Sequence, residues 1–443
     1  MPAFELTFFS LLSLVVLAVV YFFLISEKLN KVIVSILGAT VLIVMQVFRT
    51  ATNTSQEKAF EFISHNLDIL GFVIGMMVLV GIVRESGIFE AMAIWLVKVV
   101  KGKPKLLLVV FGYLTLFMTA LFSNIPTILI LTPVILILVR ELKLPFMPFM
   151  FVMITMANLG GAMTPISDPT TYYQAKTVGL GFMEVLSNSG IIVLVLSVVS
   201  LSYILLVFRT SLAATNVKAK EVANFKPLAA LRNRKVLYIG TPILFGTILV
   251  MILKEPIYLY LGIALDNATI TLGASFLAML IFHKEPKKVF RDLIDWEIIF
   301  FFIGLFIIVG ALEFTHVIEL LATSLMTLSN GNMTILTGLV TIGSGFLSTF
   351  IDNVPYNITM VGALQSLERS GLGVYPLWWA LNLGTSIGGA GSPIAAACNV
   401  IAFGQAEKNG FHHSFFGYLK LALPLVLINS VIAFGIIWLR YLA

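Results

Sequence analysis

The sequence predicts an all-α polytopic membrane protein built as an inverted repeat, with five spans and one re-entrant hairpin in each half. Three observations support this fold class. Of the 443 residues, 59% are hydrophobic and only 11% are charged, whereas soluble domains carry about 25% charged residues. Two apolar runs are interrupted by short polar, proline-containing stretches, Ser123–Pro126 and Asp352–Pro355. The two interruptions are 229 residues apart, which indicates a duplication with broken helices near the membrane midplane.

Other landmarks repeat at nearly the same offset. Gly75, Gly81 and Glu90 are followed 229 residues later by Gly304, Gly310 and Glu319. At an offset of 228 residues, the stretch 160–165 (GGAMTP) is matched by 388–393 (GGAGSP). The chain therefore divides into a first repeat (1–208), a basic cytoplasmic connector (209–235) and a second repeat (236–443).

The first repeat begins with apolar runs long enough to cross a bilayer, at about 6–25, 32–48 and 67–83. The first run is predicted to be a retained span rather than a signal peptide, because residues 1–5 contain no cation and no cleavage site follows it. Residues 90–101 are amphipathic and predict a helix along the membrane surface. A helix buried within the bundle is the alternative.

Residues 105–139 contain the first interruption. Basic residues stand on both sides of this run, Lys101, Lys103 and Lys105 before it and Arg140 and Lys143 after it. A re-entrant hairpin places both groups on one face, as the positive-inside tendency requires. The next span starts near Phe146 and breaks at residues 160–169, where glycine and proline are frequent. It resumes before Gly179, and a final span covers about 190–208.

The second repeat follows the same order. Spans are predicted at about 236–253, 267–282 and 296–312, a surface helix at 314–328, a hairpin at 333–365, a broken span at 376–403 and a last span at 418–440. With residues 27–31 in the cytoplasm, six of the 28 Lys and Arg residues fall on the outer side: Arg49, Lys58, Lys176, Lys254, Arg369 and Arg440. This asymmetry supports the threading. Five spans is an odd number, so the second repeat must be inverted relative to the first.

Several function classes find no support in the sequence. The single cysteine, Cys398, excludes an internal disulfide and a cysteine metal cluster. No basic patch interleaved with aromatic residues suggests nucleic-acid binding. Motifs for zinc hydrolysis, nucleotide binding or a nucleophile elbow do not occur. We therefore expect neither an enzyme nor a metal centre.

The interrupted segments predict the binding site, because broken helices in corresponding positions of two halves point to the site of a transporter. Each hairpin tip offers an amide, Asn124 or Asn353, at the N-terminus of a half-helix. Each broken span offers a hydroxyl, Thr164 or Ser392, beside glycines that allow close approach of the backbone. These glycines are Gly160, Gly161, Gly388 and Gly389.

Two carboxylates, Asp168 and Asp352, lie at membrane depth in this threading. A charged carboxylate within a bilayer has a large free-energy cost, and the carboxylates that occur there usually bind ions or protons. Capping of the helix that follows each of them is the alternative.

These motifs resemble the ion transporter superfamily, in particular the arsenical pump membrane protein (ArsB/NhaD) branch that includes the melanosomal P protein. The resemblance is carried by residues 352–355 (DNVP), 376–381 (PLWWAL), 388–391 (GGAG), 295–297 (DWE) and 158–161 (NLGG) with Asp168-Pro169. It implies a secondary transporter, generally a homodimer, with an elevator motion of the hairpins and broken spans. By matching motif it implies ion and substrate binding by Ser123, Asn124, Thr127, Asp352 and Asn353, with Na⁺ possible at all of these except Thr127. The first tip departs from the usual Asp-Asn pair, since Ser123 precedes Asn124.

The expected function is secondary transport of a small anion or oxyanion, such as arsenite or silicate, coupled to H⁺ or Na⁺. The alternative is a Na⁺/H⁺ antiporter, and a Na⁺-coupled citrate or dicarboxylate carrier comes third. A channel or a membrane-embedded enzyme is more distant. Because no arginine lies at the predicted site, a neutral or monovalent substrate is favoured. No cofactor besides the coupling ion is expected, and the partners are membrane lipid and a second copy of the chain, most naturally in the plasma (inner) membrane.

Overall fold

The computed structural model describes residues 7–26, 29–101, 103–213 and 226–443, and its regular elements over these ranges are all helices. The helices of the first half are α1 (Phe8–Ser26), α2 (Lys31–Val44), α3 (Ser55–Ser64), α4 (Leu67–Arg84), α5 (Ile88–Val99), α6 (Pro104–Phe122), α7 (Asn124–Glu141), α8 (Phe146–Gly161), α9 (Pro169–Val178), α10 (Phe182–Val207) and α11 (Arg209–Ala213). The helices of the second half are α12 (Val236–Leu261), α13 (Asn267–Ile281), α14 (Pro286–Leu293), α15 (Trp296–Phe314), α16 (Val317–Ser329), α17 (Met333–Leu347), α18 (Asn353–Arg369), α19 (Tyr375–Gly389), α20 (Ala397–Lys408) and α21 (Phe415–Tyr441).

The prediction of an all-α polytopic membrane protein is confirmed. Within the described ranges, seven helices (α4, α6, α7, α10, α12, α15 and α21) are long and apolar enough to cross a membrane, and shorter apolar helices accompany them. The expectation of a retained first span depends partly on residues 1–5, which lie outside the described residues. Part of the predicted connector, residues 214–225, also lies outside the described residues.

The two predicted interruptions are present. Helix α6 ends at Phe122 and α7 begins at Asn124, so the run 105–139 is broken at Ser123, whose φ is +74°. This left-handed φ is rare for a residue with a Cβ and makes a sharp reversal, so that α6 and α7 pack against each other. The second break is longer, because a turn separates α17 from Asp352, the N-cap of α18. The Ser344 and Tyr356 hydroxyls join the two arms at 3.1 Å.

Three helices were not predicted, and the shortest of them, α11, lies at the start of the connector. Helix α3 forms within the polar stretch 50–66, where Thr54 and Glu57 make a capping box. The ring of Phe62 in α3 packs directly on Gly310 of α15, where an added Cβ would overlap the ring. Helix α14 begins at Pro286, a residue whose fixed φ suits the first turn of a helix.

Helix pairs recur between the halves. Helix α4 packs on α13 as α2 packs on α15, and α6 packs on α8 as α17 packs on α19. Across the halves, α7 contacts α20 and α18 contacts α9. This correspondence agrees with the predicted duplication, while the opposite orientation of the two copies in the membrane stays a prediction.

Polar contacts join helix ends that the charge pattern places on one face. Lys284 pairs with Glu85 at 2.5 Å and Arg140 donates to the Asn409 carbonyl at 2.9 Å, all on the predicted cytoplasmic side. Lys176 pairs with Asp68 at 2.5 Å on the predicted outer side. These contacts are compatible with the threading.

Candidate functional site

Each hairpin tip is held by the broken span of its own repeat through matching hydrogen bonds. The backbone N–H of Asn124 donates to the Ser167 carbonyl at 3.1 Å, and the backbone N–H of Asn353 donates to the Ala395 carbonyl at 3.0 Å. The Thr164 hydroxyl donates to Ala120 O at 2.7 Å, and the Ser392 hydroxyl donates to Thr349 O at 2.6 Å. These bonds satisfy backbone groups that the helix breaks would otherwise leave unpaired, which is costly away from water.

Four glycines near the breaks permit close contacts. A Cβ on Gly160 would stand 2.6 Å from the Leu116 carbonyl oxygen, and one on Gly388 would stand 2.5 Å from that of Gly345. A Cβ on Gly161 would stand 3.1 Å from the Asp168 carboxylate, and one on Gly389 would stand 2.6 Å from Asn158 Oδ1. The first pair lets the broken spans cross the hairpins, and the second pair leaves room for polar side chains.

The two half-helix N-termini and the two carboxylates meet at one narrow cavity, which we call the tip cavity. Its polar lining is Asn124 and Asp168 from the first repeat, Asp352 and Asn353 from the second, and Lys31 from α2. Its apolar wall includes Ile298, Phe301 and Phe302 of α15. Asn124 and Asn353 are the first residues of α7 and α18, so the partial positive ends of both helices point toward the same space.

Asp168 and Asp352 have different surroundings. The buried Asp168 carboxylate caps α9 by accepting bonds of 2.8 Å from both the N–H and the hydroxyl of Thr170. It also accepts a hydrogen bond from the Asn124 side-chain amide. The half-buried Asp352 caps α18 by accepting from the Val354 N–H at 3.0 Å. Capping therefore occurs at both residues, and it uses only part of the Asp352 carboxylate.

A wider cavity, the vestibule, adjoins the tip cavity. It measures about 330 Å³ and is lined by Leu29, Asn30, Lys31, Glu297 and Asp352, among others. Lys31 and Asp352 line both spaces. Residues 29–31 lie at the end of α2 that the charge pattern places in the cytoplasm, so the vestibule adjoins the predicted cytoplasmic side.

The remaining sequence-predicted residues surround the tips without lining the tip cavity. Thr127 donates its hydroxyl to Ser123 O at 2.8 Å, which closes the first turn of α7. Thr164 and Ser392 use their hydroxyls in the backbone contacts described above. Ser123 is buried at the sharp reversal. The structure thus brings Asn124, Asp168, Asp352 and Asn353 together, and it places Ser123, Thr127, Thr164 and Ser392 as their supports.

Buried amides that join the two broken spans did not emerge from the sequence as site residues. Asn158 of α8 donates to Asn399 of α20 at 3.0 Å, and Thr171 of α9 donates to Asn382 of α19 at 2.8 Å. Asn399 also holds the second break by donating to the Gly389 and Ser392 carbonyls at 2.7 and 2.8 Å. The signal for these residues is an amide inside an apolar run, which is expensive unless paired.

Comparison with known proteins identifies relatives along nearly the whole chain. The family model described as citrate transporter (CitMHS) matches residues 21–384. A 46 kDa membrane protein of Mycobacterium leprae is 29% identical over 98% of this chain and 99% of its own length. An uncharacterized transporter of Mycobacterium tuberculosis is 30% identical over 84% of this chain and 86% of its own length.

The human P protein is 23% identical over 94% of this chain, which spans 58% of the P protein's length. The resemblance to the P protein is confirmed, while membership of the arsenical pump branch stays a prediction. Because the family model covers residues 21–384, far more than half of the sequence, the chain belongs to the CitMHS citrate transporter family and is a multi-pass membrane transporter.

Proposed function

We propose that the protein is a secondary active transporter that couples the movement of a small anion to H⁺ or Na⁺. The observation that carries this proposal is the convergence of two helix N-termini and two aspartates on the tip cavity. Helix N-termini favour anions, and intramembrane carboxylates bind cations or protons. A site with both features suits the joint binding of an anion and its coupling cation.

The broken spans and hairpins are proposed to move together as an elevator. The side-chain hydrogen bonds between α8 and α20 and between α9 and α19 support this view, because they link the breaks of both repeats into one unit. The early spans α2, α4, α13 and α15 pack in pairs outside that unit and would form the scaffold. In this scheme the moving unit slides against the scaffold to expose the site to either side of the membrane, and the site itself stays folded.

A Na⁺/H⁺ antiporter is the second candidate. The observation that favours it is the presence of two carboxylates at one cavity, since both could carry transported cations. The two functions differ in one measurable respect, because only the first needs an anion to complete the cycle. A carrier of citrate, the solute in the family's name, would have to bring three negative charges against Asp168 and Asp352 and would require more coupling cations.

Flux into proteoliposomes tests the proposal. The full chain is reconstituted and an inward Na⁺ or H⁺ gradient is imposed, with arsenite, silicate, citrate or labelled Na⁺ supplied in separate experiments. Gradient-dependent accumulation of arsenite, silicate or citrate supports the proposal. Movement of Na⁺ against H⁺ with no anion present identifies the antiporter instead.

Asp352→Asn is the variant that isolates coupling. We expect gradient-driven transport to be lost, because the side chain can no longer hold a proton or a cation by its charge, while folding is retained since Asn is as good an N-cap as Asp. Asp295→Asn is the matched control, since Asp295 caps α15 with its carboxylate but lies outside the tip cavity. Wild-type rates with unchanged Na⁺ and pH dependence in Asp352→Asn would show that this carboxylate is only a cap.

A further inference from the structure

Lys31 occupies a position that its local sequence does not explain. It is the first residue of α2, after the N-cap Asn30, where a cation faces the positive end of the helix dipole and is disfavoured. Its ammonium lies 5.4 Å from the centre of the Phe301 ring, within the range of a cation–π contact. None of the salt bridges found among the described residues includes it. The carboxylates that line the same cavities as Lys31 are Glu297, Asp352 and Asp168.

Asp352 is the carboxylate that lines both the vestibule and the tip cavity together with Lys31. The two opposite charges face the same space without forming an ion pair, so they attract each other across it. Among the described residues, no other Lys, Arg or His lines either space. Within the part of the chain that the structure describes, Lys31 is thus the one fixed cation between the vestibule and the tips.

Lys31 and Asp352 stand on different parts of the molecule. Lys31 and Phe301 belong to α2 and α15, which pack against each other in the proposed scaffold. Asp352 belongs to the second hairpin, in the proposed moving unit. An attraction between them therefore crosses the boundary at which an elevator would slide, and its strength depends on what neutralises either partner.

The charges of the tip cavity limit the solute. Asp168 and Asp352 bring two negative charges and Lys31 one positive charge. When coupling cations neutralise both carboxylates, one positive charge remains to be balanced. An anion with one negative charge leaves the occupied site neutral, whereas a trivalent anion leaves it strongly negative in a medium that solvates charge poorly.

We infer that Lys31 is the anion-selecting residue of the transporter: its charge is attracted to Asp352 across the cavity in the empty carrier and, once a cation has taken Asp352, Lys31 binds a monovalent carboxylate or oxyanion. This inference rests on the proposed function and adds to it a substrate class and an order of binding. Cation and anion become coupled because each neutralises one of the two opposite charges that otherwise attract each other across the cavity. An anion arriving alone would have to compete with Asp352 for Lys31.

The test compares three solutes of different charge in proteoliposomes at pH 7.5: lactate as the monovalent probe, citrate as the multivalent probe and arsenite as the neutral probe. We expect the wild type to transport lactate in preference to the other two. Lys31→Gln should raise the KM for lactate by about 10-fold or more, because a charge-assisted hydrogen bond is lost. It should also lower the Na⁺ or H⁺ concentration for half-maximal rate, since Asp352 loses its competitor. Lys31→Arg should keep both values near those of the wild type.

Lys235→Gln is the matched control. Lys235 lies 5.9 Å from the centre of the Phe282 ring, so this variant removes the same charge and the same kind of ring contact far from the tip cavity. It should change neither constant. Opposite shifts in anion and cation affinity are the signature of the inference, because a merely structural lysine would lower kcat or stability without moving the two constants in opposite directions.

Three outcomes would overturn the inference: an unchanged KM in Lys31→Gln, parallel weakening of both affinities, or a wild-type preference for citrate or arsenite that survives the substitution. Thermal unfolding in a Na⁺ and pH titration gives a readout that does not need transport. Lys31→Gln should reach half of its cation-induced stabilisation at a lower Na⁺ or H⁺ concentration than the wild type, and the absence of that shift also contradicts the inference. If the wild type accumulates no anion under either gradient, the proposed function fails separately.

Discussion

At the scale of single residues, the two aspartates of the tip cavity differ in the number of hydrogen bonds that they accept. Asp168 accepts hydrogen bonds from Thr170 twice and from the Asn124 side chain, so its charge is well solvated by the protein. Asp352 accepts one hydrogen bond, from the Val354 N–H, and lies on the wall of the vestibule. The difference in donors predicts a difference in what each substitution costs.

Asp168→Asn should lower the free energy of unfolding by about 1–3 kcal/mol, because the new amide N–H₂ group faces donors on Thr170 and Asn124 and leaves one of them unsatisfied. Asp352→Asn should change it by less than about 0.5 kcal/mol, since the cap is retained. Thermal unfolding of the purified variants in one detergent measures both. We also expect Asp168→Asn to impair gradient-driven transport less completely than Asp352→Asn. Equal destabilisation of the two variants would contradict this account.

At the scale of helices, close crossing of the broken spans over the hairpins depends on missing side chains. Gly388 in α19 faces the Gly345 carbonyl of α17, and Gly160 in α8 faces the Leu116 carbonyl of α6. The distances that a Cβ would have, 2.5 and 2.6 Å, are below any ordinary van der Waals contact. Because the obstacle is backbone in both cases, the helices themselves would have to move apart.

Gly388→Ala is therefore expected to destabilise the protein by about 1–3 kcal/mol through overpacking and to slow transport, since the crossing helices also position Asn353. Gly404→Ala is the control: this glycine is also helical, in α20, and a Cβ there meets nothing within 4 Å. Helix propensity alone should make that variant neutral or up to about 1 kcal/mol more stable. Thermal unfolding and initial flux rates of the two variants give the comparison. A Gly388→Ala protein as stable as Gly404→Ala would show that the helices are loosely packed.

At the scale of the whole molecule, the early spans leave broad apolar faces uncovered. Helix α12 exposes Phe245, Leu249, Leu253 and Leu259, and α1 exposes Leu11, Val15 and Val19. Lipid covers such faces in any membrane protein, and a second copy of the chain can cover part of them. The resemblance to dimeric transporters led us to expect a dimer built on the early spans, about 6–83 and 236–312, and this assembly is a proposal.

Native mass spectrometry in a mild detergent should accordingly give twice the mass of the chain. Pairing through the scaffold is expected because the moving unit must stay free to slide. A single cysteine placed at Leu259 should cross-link between copies, whereas one at Ile137 of α7, which is also exposed but lies in the first hairpin, should not. The native Cys398 is buried and does not interfere. A uniform monomer at several protein concentrations would rule out the dimer.

Helix breaks could be predicted from the sequence because their signals are local. Proline and glycine disfavour a continuing helix wherever they occur, and a carboxylate in an apolar run stands out for its solvation cost. Residues 123–126 and 352–355 were recognised in this way, and the breaks lie there. The capped helix α3 was missed because its residues are polar, and hydropathy alone predicts spans rather than short surface helices.

The sequence by itself determined the membrane class and the positions of the breaks, and it predicted a duplication and eight polar site residues, four of which meet at the tips. Only the tertiary structure decided that Lys31 joins them and that Asn158 meets Asn399 from the other repeat. Composition and spacing reveal which residues are costly in lipid, since that cost belongs to each residue and its neighbours along the chain. Which costly residue neutralises which depends on how helices far apart in sequence pack and rotate against each other, and that is settled only when the whole bundle has formed.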